Sequence, residues 1–346
     1  MTHTLKKTKL LPLTLAMLPL LHACSLTSLM GEPAELSKNQ MTQDITYLAS
    51  DELKGRGNFS PEIKQAASYI SQRFEEIGLS PLSTESSYLQ SFNLFEMTPT
   101  SLSVAINGQS IAKEKLAMAS TTRSLDWTQV SDAKISLVTA EDDMRQVVSQ
   151  LNQEGGHHLV LVNSAHKDWF ARYQHYFARG LRKKTDEETG SLVLVLTDET
   201  QVKTLKVEGK VEVNKRELAN VVGILPGKSK PNEIVLYSAH YDHLGAMGQG
   251  DDVIYNGADD DASGTTAVIN LAEYFAKAGQ NERTLMFAAF TAEEIGGYGS
   301  QHFSKQLSPD DIVAMINIEM IGKPSKFGKG TMWMTGAERS NLQEKL

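Results

Sequence analysis

Four short stretches hold the ionisable side chains that could act together. "LYSAHYDHLG" (236–245) places His240, Asp242 and His243 at the end of an apolar run. "NGADDDASG" (256–264) holds Asp259, Asp260 and Asp261, "FTAEEIGG" (290–297) holds Glu293 and Glu294, and "MINIEMIG" (315–322) holds Glu319. Gathered in one place without a cation, these carboxylates would repel one another, lose hydration and take up protons. Divalent ions remove that difficulty. Imidazole with carboxylates suits zinc, although cobalt and manganese are not excluded by ligand type. A carboxylate can also bridge two ions, which then activate a shared water and polarise a carbonyl. Taken singly, each acidic stretch equally suits a solvated loop.

The flanking segments indicate how the stretches could meet. "ANVVGILPG", "EIVLYSAHYD", "TLMFAAFTAEE" and "VAMINIEMIG" are apolar runs of strand length, as strands buried on both faces require. Between the second and third, Ala267, Val268, Leu271, Tyr274 and Phe275 line one helical face. Strand–helix–strand alternation predicts an α/β fold, with a mixed, largely parallel sheet and helices on both faces. In such sheets ligands bind beyond the carboxyl ends of the strands, where these polar clusters fall. Upstream, Ser60-Pro61 predicts a helix start, Ile63, Ala66, Ile70, Phe74 and Ile77 a buried face, and Gly78 a stop. The preceding "KGRGNFSP" reads as a Gly- and Pro-marked loop. Short apolar runs between 95 and 215 predict a strand-rich inserted accessory domain, in which Arg182-Lys183-Lys184 reads as a solvated loop face.

In order and spacing, "SAHYDHLG", "NGADDDASGT", "FTAEEIGGYGS" and "MINIEMIG" resemble the four successive motifs of the M28 metallopeptidases, which include bacterial zinc aminopeptidases. "YLASDELKGRG" and "ANVVGILPG" are typical of its bacterial members, and the insert resembles, loosely, a protease-associated domain. The resemblance implies a co-catalytic site with two zinc ions and a peptide substrate. His240 would ligate one ion, with Asp242 orienting its imidazole. Asp260 would bridge both ions and precede a cis peptide. Glu294 would ligate the second ion, and Glu319, where the family has aspartate, the first. Glu293 would be the general base. His243 reads as a pocket-wall residue. The family's fifth ligand is a histidine from the last third of the catalytic domain, and no histidine follows His302 here. That predicts a chain truncated at its C-terminus, or a divergent one-metal variant in which His243 or His302 substitutes.

The formal net charge of −8 argues against nucleic acid as a partner, because phosphate binding calls for a basic footprint. Lys6, Lys7 and Lys9 precede the apolar "LLPLTLAMLPLL" (10–21), and the sole cysteine, Cys24, follows in "LLHAC". This pattern resembles a bacterial lipoprotein signal, with attachment to the membrane through Cys24 and a location in the cell envelope facing the periplasm. A lone cysteine excludes an internal disulfide. The expected organisation is a signal peptide (1–23), a polar tether (24–40), a first catalytic segment (41–95), the insert (96–215) and the catalytic core (216–346). Two other functions fit the sequence: a one-zinc glutaminyl-cyclase-like enzyme, and a non-catalytic binding lipoprotein.

Overall fold

The computed structural model describes residues 35–341 and 344. The expected signal and Cys24 lie outside the described residues. The first helix, α1 (Lys38–Leu48), begins inside the expected tether because the Ser37 side chain caps it, accepting from the Gln40 N–H at 3.2 Å.

Helix α2 (Pro61–Ile77) starts and stops where the sequence indicates. Ser60 Oγ accepts from the Ile63 N–H, and Gly78 closes the helix at φ +85°. Ile63, Ala66, Ile70 and Phe74 are buried, with Ile77 packed at the margin.

The main sheet is mixed. Strand Lys230–His240 lies at its parallel centre, with Arg283–Phe290 on one side and Ile312–Asn317 on the other. The rest pairs antiparallel: Leu205–Leu225 joins Arg283–Phe290 and then runs as a long ribbon with Leu89–Ile106. In this sheet parallel pairing is therefore confined to three strands, fewer than the apolar runs imply. The apolar run at 219–225 is buried on both faces all the same, because helices cover this part of the sheet on both sides. Leu285, Phe287 and Ala289 point to one layer, where α1, α2 and α5 (Gly264–Ala278) pack with Leu48, Phe74, Val268 and Ile269. Met286, Ala288 and Phe290 point to the other, beneath Phe303 of α6 (Tyr298–Ser304). This two-residue alternation is what a strand covered on both sides must show.

Within the insert, strands Leu116–Ser120, Gly190–Leu196, Gly156–Val162 and Lys134–Val138 form a second sheet in that order. One face packs on α3 (Met144–Glu154) and α4 (Lys167–Ala178), through Val148, Leu151, Phe170 and Phe177. The other packs on the ribbon through Leu159, Leu161, Val193 and Val207. Arg182 does not lie on a solvated loop. It belongs to strand Leu181–Lys183, which pairs with the ribbon, and its side chain is only 30% exposed.

Candidate metal centre

His240 is the last residue of the central strand and is buried. Its Nδ1 lies 3.0 Å from the Asp242 carbonyl oxygen, so Nδ1 carries the proton and Nε2 is left as the ligand atom. Nε2 is 3.1 Å from Asp260 Oδ1. Two ligands on one tetrahedral zinc lie roughly 3.4 Å apart, so this pair already has nearly the spacing that a shared ion requires.

Asp260 sits in the loop that feeds α5. Gly257 opens that loop at φ +61°, and a Cβ there would lie 2.3 Å from the Asp260 carbonyl oxygen and 2.6 Å from His243 Cδ2. Only glycine fits such an approach. The Asp260–Asp261 peptide is cis. Asp261, fully buried, accepts from the N–H groups of His240 (3.2 Å), Gly264 (3.0 Å) and Met320 (3.2 Å), tying the central strand, α5 and the Glu319 loop to one carboxylate. Asp259 accepts from the Gly322 N–H at 2.9 Å and lies 3.4 Å from Lys323 Nζ.

Asp242 acts mainly on a different group from the one its spacing to His240 suggests. Its carboxylate reaches His240 Nδ1 only at 3.7 Å. The oxygens are occupied instead by the N–H groups of Glu293 (3.1 Å) and Glu294 (3.2 Å) and by Asn58 Nδ2 (2.6 Å). Asp242 thus fixes the turn that presents both glutamates, and its main-chain oxygen orients the imidazole. Ala292, just before them, is buried at φ +58°, a conformation uncommon outside glycine.

His243 is not merely wall. Its Nδ1 lies 2.7 Å from Glu294 Oε1, and one ligand atom each from His243, Asp260 and Glu294 lie within 4.8 Å of one another. Ligands opposed across a zinc ion stand at most about 4.2 Å apart, so small side-chain rotations would close this trio on one cation. The donor chemistry and spacing fit a divalent metal. His302, the other substitute considered, stacks on Phe92 and takes no part in the cluster. Glu319 is exposed and held by Asn317 Nδ2 at 2.6 Å; it lies outside the trio, although its charge acts on Glu293.

Burial would lower His240, but Asp242, Asp261 and Glu293 outweigh it and raise the imidazole of the cation-free site to about 10, so a metal ion would bind Nε2 in place of a proton. Glu293 is raised above the ordinary glutamate value by partial desolvation, which His240 opposes and Asp242, Glu319 and Glu294 reinforce. Burial raises Asp261 to about 7 against the pull of His240 and its three N–H donors.

Arg56 is the supporting residue that sequence reading missed. Its guanidinium, fully buried, donates to the carbonyls of Tyr241 (2.8 Å), Asn256 (2.7 Å), Gly257 (2.9 Å) and Leu48, while its own carbonyl accepts from the His243 N–H at 3.2 Å. Burial lowers it to about 10, and Asp242, Asp261, Asp260 and Glu294 hold it charged at neutral pH. One arginine thus joins the His240–His243 loop to the Asp260 loop and offsets their charge. The available signal was the pair of glycines around it: a Cβ on Gly55 would lie 2.3 Å from the Tyr255 carbonyl oxygen, and one on Gly57 would lie 3.0 Å from Gly245 Cα.

Residues 220–345 match the family model for "Peptidase family M28". Among curated proteins similar to the chain, Aminopeptidase YwaD of Bacillus subtilis (strain 168) is 31% identical over 127 residues, 36% of this chain and 26% of that protein. A probable zinc metalloprotease of Pyrenophora teres f. teres (strain 0-1) is 24% identical over 192 residues, 55% of this chain and 38% of that protein. The chain spans about two-fifths or less of the length of these relatives. Among solved structures, an aminopeptidase from Aneurinibacillus sp. strain AM-1 is similar with a TM-score of 0.45 at 18% identity, covering 82% of this chain and 70% of that one. The zinc aminopeptidase BSAP from Bacillus subtilis is similar with a TM-score of 0.45 at 16% identity, covering 84% and 70%.

Proposed function

We propose, on the match of residues 220–345 to the model for peptidase family M28, that the chain is a zinc metallopeptidase of aminopeptidase type with a co-catalytic pair of ions. The observation that carries this reading is the position of Asp260. Its carboxylate lies 3.1 Å from His240 Nε2 and belongs to the trio with His243 and Glu294, so it can serve two ions at once. His240 and Asp260, with Glu319 nearby, would hold one ion, and Asp260, Glu294 and His243 the other. Bound zinc supplies polarisation of the scissile carbonyl and acidification of water toward neutral pH.

The protein's own groups do the rest. Glu293, exposed at the pocket and carrying a raised pKa, takes the proton of the attacking water and returns it to the leaving amine. Asp242 holds the Glu293–Glu294 turn so that one carboxylate faces the ion and its neighbour the water. The acidic surroundings favour a cationic N-terminal amine on the substrate. Attachment to a cell-envelope membrane through Cys24 completes the proposal.

Purified protein should hydrolyse aminoacyl p-nitroanilides, stop with chelator and recover with zinc. Glu293→Gln should lose at least about a hundredfold in kcat while retaining zinc. Full activity in that variant removes Glu293 from its role. A second reading, a one-zinc glutaminyl cyclase, draws on the fact that only one trio of ligands gathers tightly among the described residues. One zinc per chain together with cyclisation of N-terminal glutamine would favour it.

A further inference from the structure

Beside the Glu293–Glu294 turn, the chain presents a face with surplus positive charge. Strand Leu181–Lys183 pairs with the ribbon so that Arg182 stands opposite Glu96, and the other ribbon strand places Arg216 opposite Leu94. The two-residue period brings these groups to one face. Both guanidiniums lie over Phe59, at 6.0 Å for Arg182 and 5.8 Å for Arg216. Glu96 lies 2.6 Å from Arg216 Nε but only 3.8 Å from Arg182 Nε. Arg182 Nε is shut off from solvent and has no hydrogen-bond partner. Lys184 adds a third cation, over the Tyr298 ring at 5.9 Å and donating to Gln301 Oε1 at 2.6 Å. Arg182 and Arg216 thus share one acid, and Lys184 has no ion-pair partner among the described residues, in a chain of net charge −8.

This face adjoins the metal centre. Phe59 follows Asn58, whose amide holds Asp242 at 2.6 Å. Phe59 itself sits at φ +69°, an outlier for a bulky residue and a kind of strain found at functional sites. Phe59 packs against the buried cluster of Phe92, Leu94, Leu218 and Ala292, as do Ile295 and Tyr298 from beside the two glutamates, and the Tyr298 hydroxyl donates to the Arg182 carbonyl oxygen at 2.8 Å.

We infer that Arg182, Arg216 and Lys184 form a subsite for a carboxylate on the far end of the peptide substrate, with Arg182 as its first contact. The inference rests on the peptidase reading above. The acidic pocket attracts the substrate amine, while the cationic face repels an amine and attracts an acid. The Arg182 side chain is 30% exposed and shares its one acid with Arg216, so its outer N–H groups, not the enclosed Nε, are the ones suited to grip a carboxylate. Phe59, whose ring lies under both guanidiniums, directly follows the Asn58 that holds Asp242, which places the subsite a few extended residues from the metal centre. Short peptides with a free C-terminus, or with an acidic residue at that position, fit this span.

The test compares three peptides on the zinc-loaded 346-residue protein: alanine tetrapeptide as free acid, the same peptide as C-terminal amide, and an amide ending in glutamate. The free acid should exceed the amide by about 10–100-fold in kcat/KM, mostly through KM. Recovery with the glutamyl amide assigns the subsite to acidic side chains, and no recovery assigns it to the free terminus. In Arg182→Gln/Arg216→Gln the ratio of acid to amide should fall toward one, and Arg182→Lys should restore part of it. Equal rates for acid and amide in the unmodified protein overturn the inference. Calorimetric titration of the same peptides onto Glu293→Gln protein makes the comparison without turnover. Absence of hydrolysis would therefore sink the peptidase reading, while the binding ratio still decides the subsite.

Discussion

Asp242→Asn separates a residue that holds the fold from one that holds the site. The carboxylate is fully buried and accepts three hydrogen bonds, two of them from the consecutive N–H groups of Glu293 and Glu294. Asparagine keeps the shape but has one oxygen. However its amide lies, an NH₂ must face a peptide N–H. One or two charge-assisted hydrogen bonds are lost, at about 1.5–3 kcal/mol each. Removal of a buried charge offsets part of this, leaving a net destabilisation of about 2–4 kcal/mol. At about 2 °C per kcal/mol for a chain of this size, Tm should fall by roughly 4–8 °C. The variant therefore stays folded at room temperature. The loosened turn should cost about 10–100-fold in zinc affinity and in kcat, the usual range for groups that orient metal ligands. Scanning calorimetry gives the first quantity; competition with a chromophoric chelator and steady-state hydrolysis give the others. A lower Tm with zinc affinity and kcat unchanged would confine Asp242 to the fold. No change in any of the three would refute the hydrogen-bond argument itself.

Gly257→Ala should weaken zinc binding by at least about tenfold, since the added Cβ meets the Asp260 carbonyl and the His243 ring at a positive φ; zinc titration followed by tryptophan emission checks this. Zinc counting by atomic emission separates the two metal stoichiometries. With paired ions, His240→Asn and His243→Asn should each lose one of two zincs, whereas with a single ion His243→Asn loses the only one and His240→Asn keeps it. Glu273 accepts from Lys277 Nζ (2.5 Å) and Arg73 Nη2 (3.0 Å), and these cations outweigh burial and hold its carboxyl below the ordinary value. Its folded-state pKa is depressed, so its stabilisation is present above the ordinary carboxylate range and lost as pH falls through the folded value. The Tm difference between the protein and Glu273→Gln should be constant above about pH 5 and close on acidification; a gap that widens in acid would contradict this.

The polar ends of the strands were legible in the sequence because the buried strands are almost uniformly apolar and stop abruptly at His240 and Phe290; the run ending at Asn317 is equally apolar but forms an edge strand with Val313 and Met315 exposed. Helix α2 was legible through its cap, its periodicity and its terminal glycine. Less visible was which partner each acid meets. The two-residue spacing of His240 and Asp242 suggests that the carboxylate holds the imidazole, yet its oxygens point to a turn 51 and 52 residues further on. His243 could not be told from a wall residue, since its ring direction depends on the loop that Arg56 pins. Arg56 stood in a glycine-flanked stretch read as a connector, and burial of a charged side chain against carbonyls from three other segments leaves no local periodicity. The antiparallel ribbon was hidden for a similar reason: pairing partners lie more than a hundred residues apart, and apolar runs do not state their direction.

The ties that close the pocket are long in sequence. Arg56 meets Tyr241 across 185 residues and Gly257 across 201, and Asn58 meets Thr291 across 233. Contacts of this order form late in folding, after shorter loops have closed. As the chain leaves the ribosome, the early arginine can reach the Leu48 carbonyl but lacks those of Tyr241, Asn256 and Gly257 until the distant segments emerge. Capture of a cation then becomes a report that both ends of this circuit have met, and a nascent or clipped chain would be recognisable by its inability to retain one.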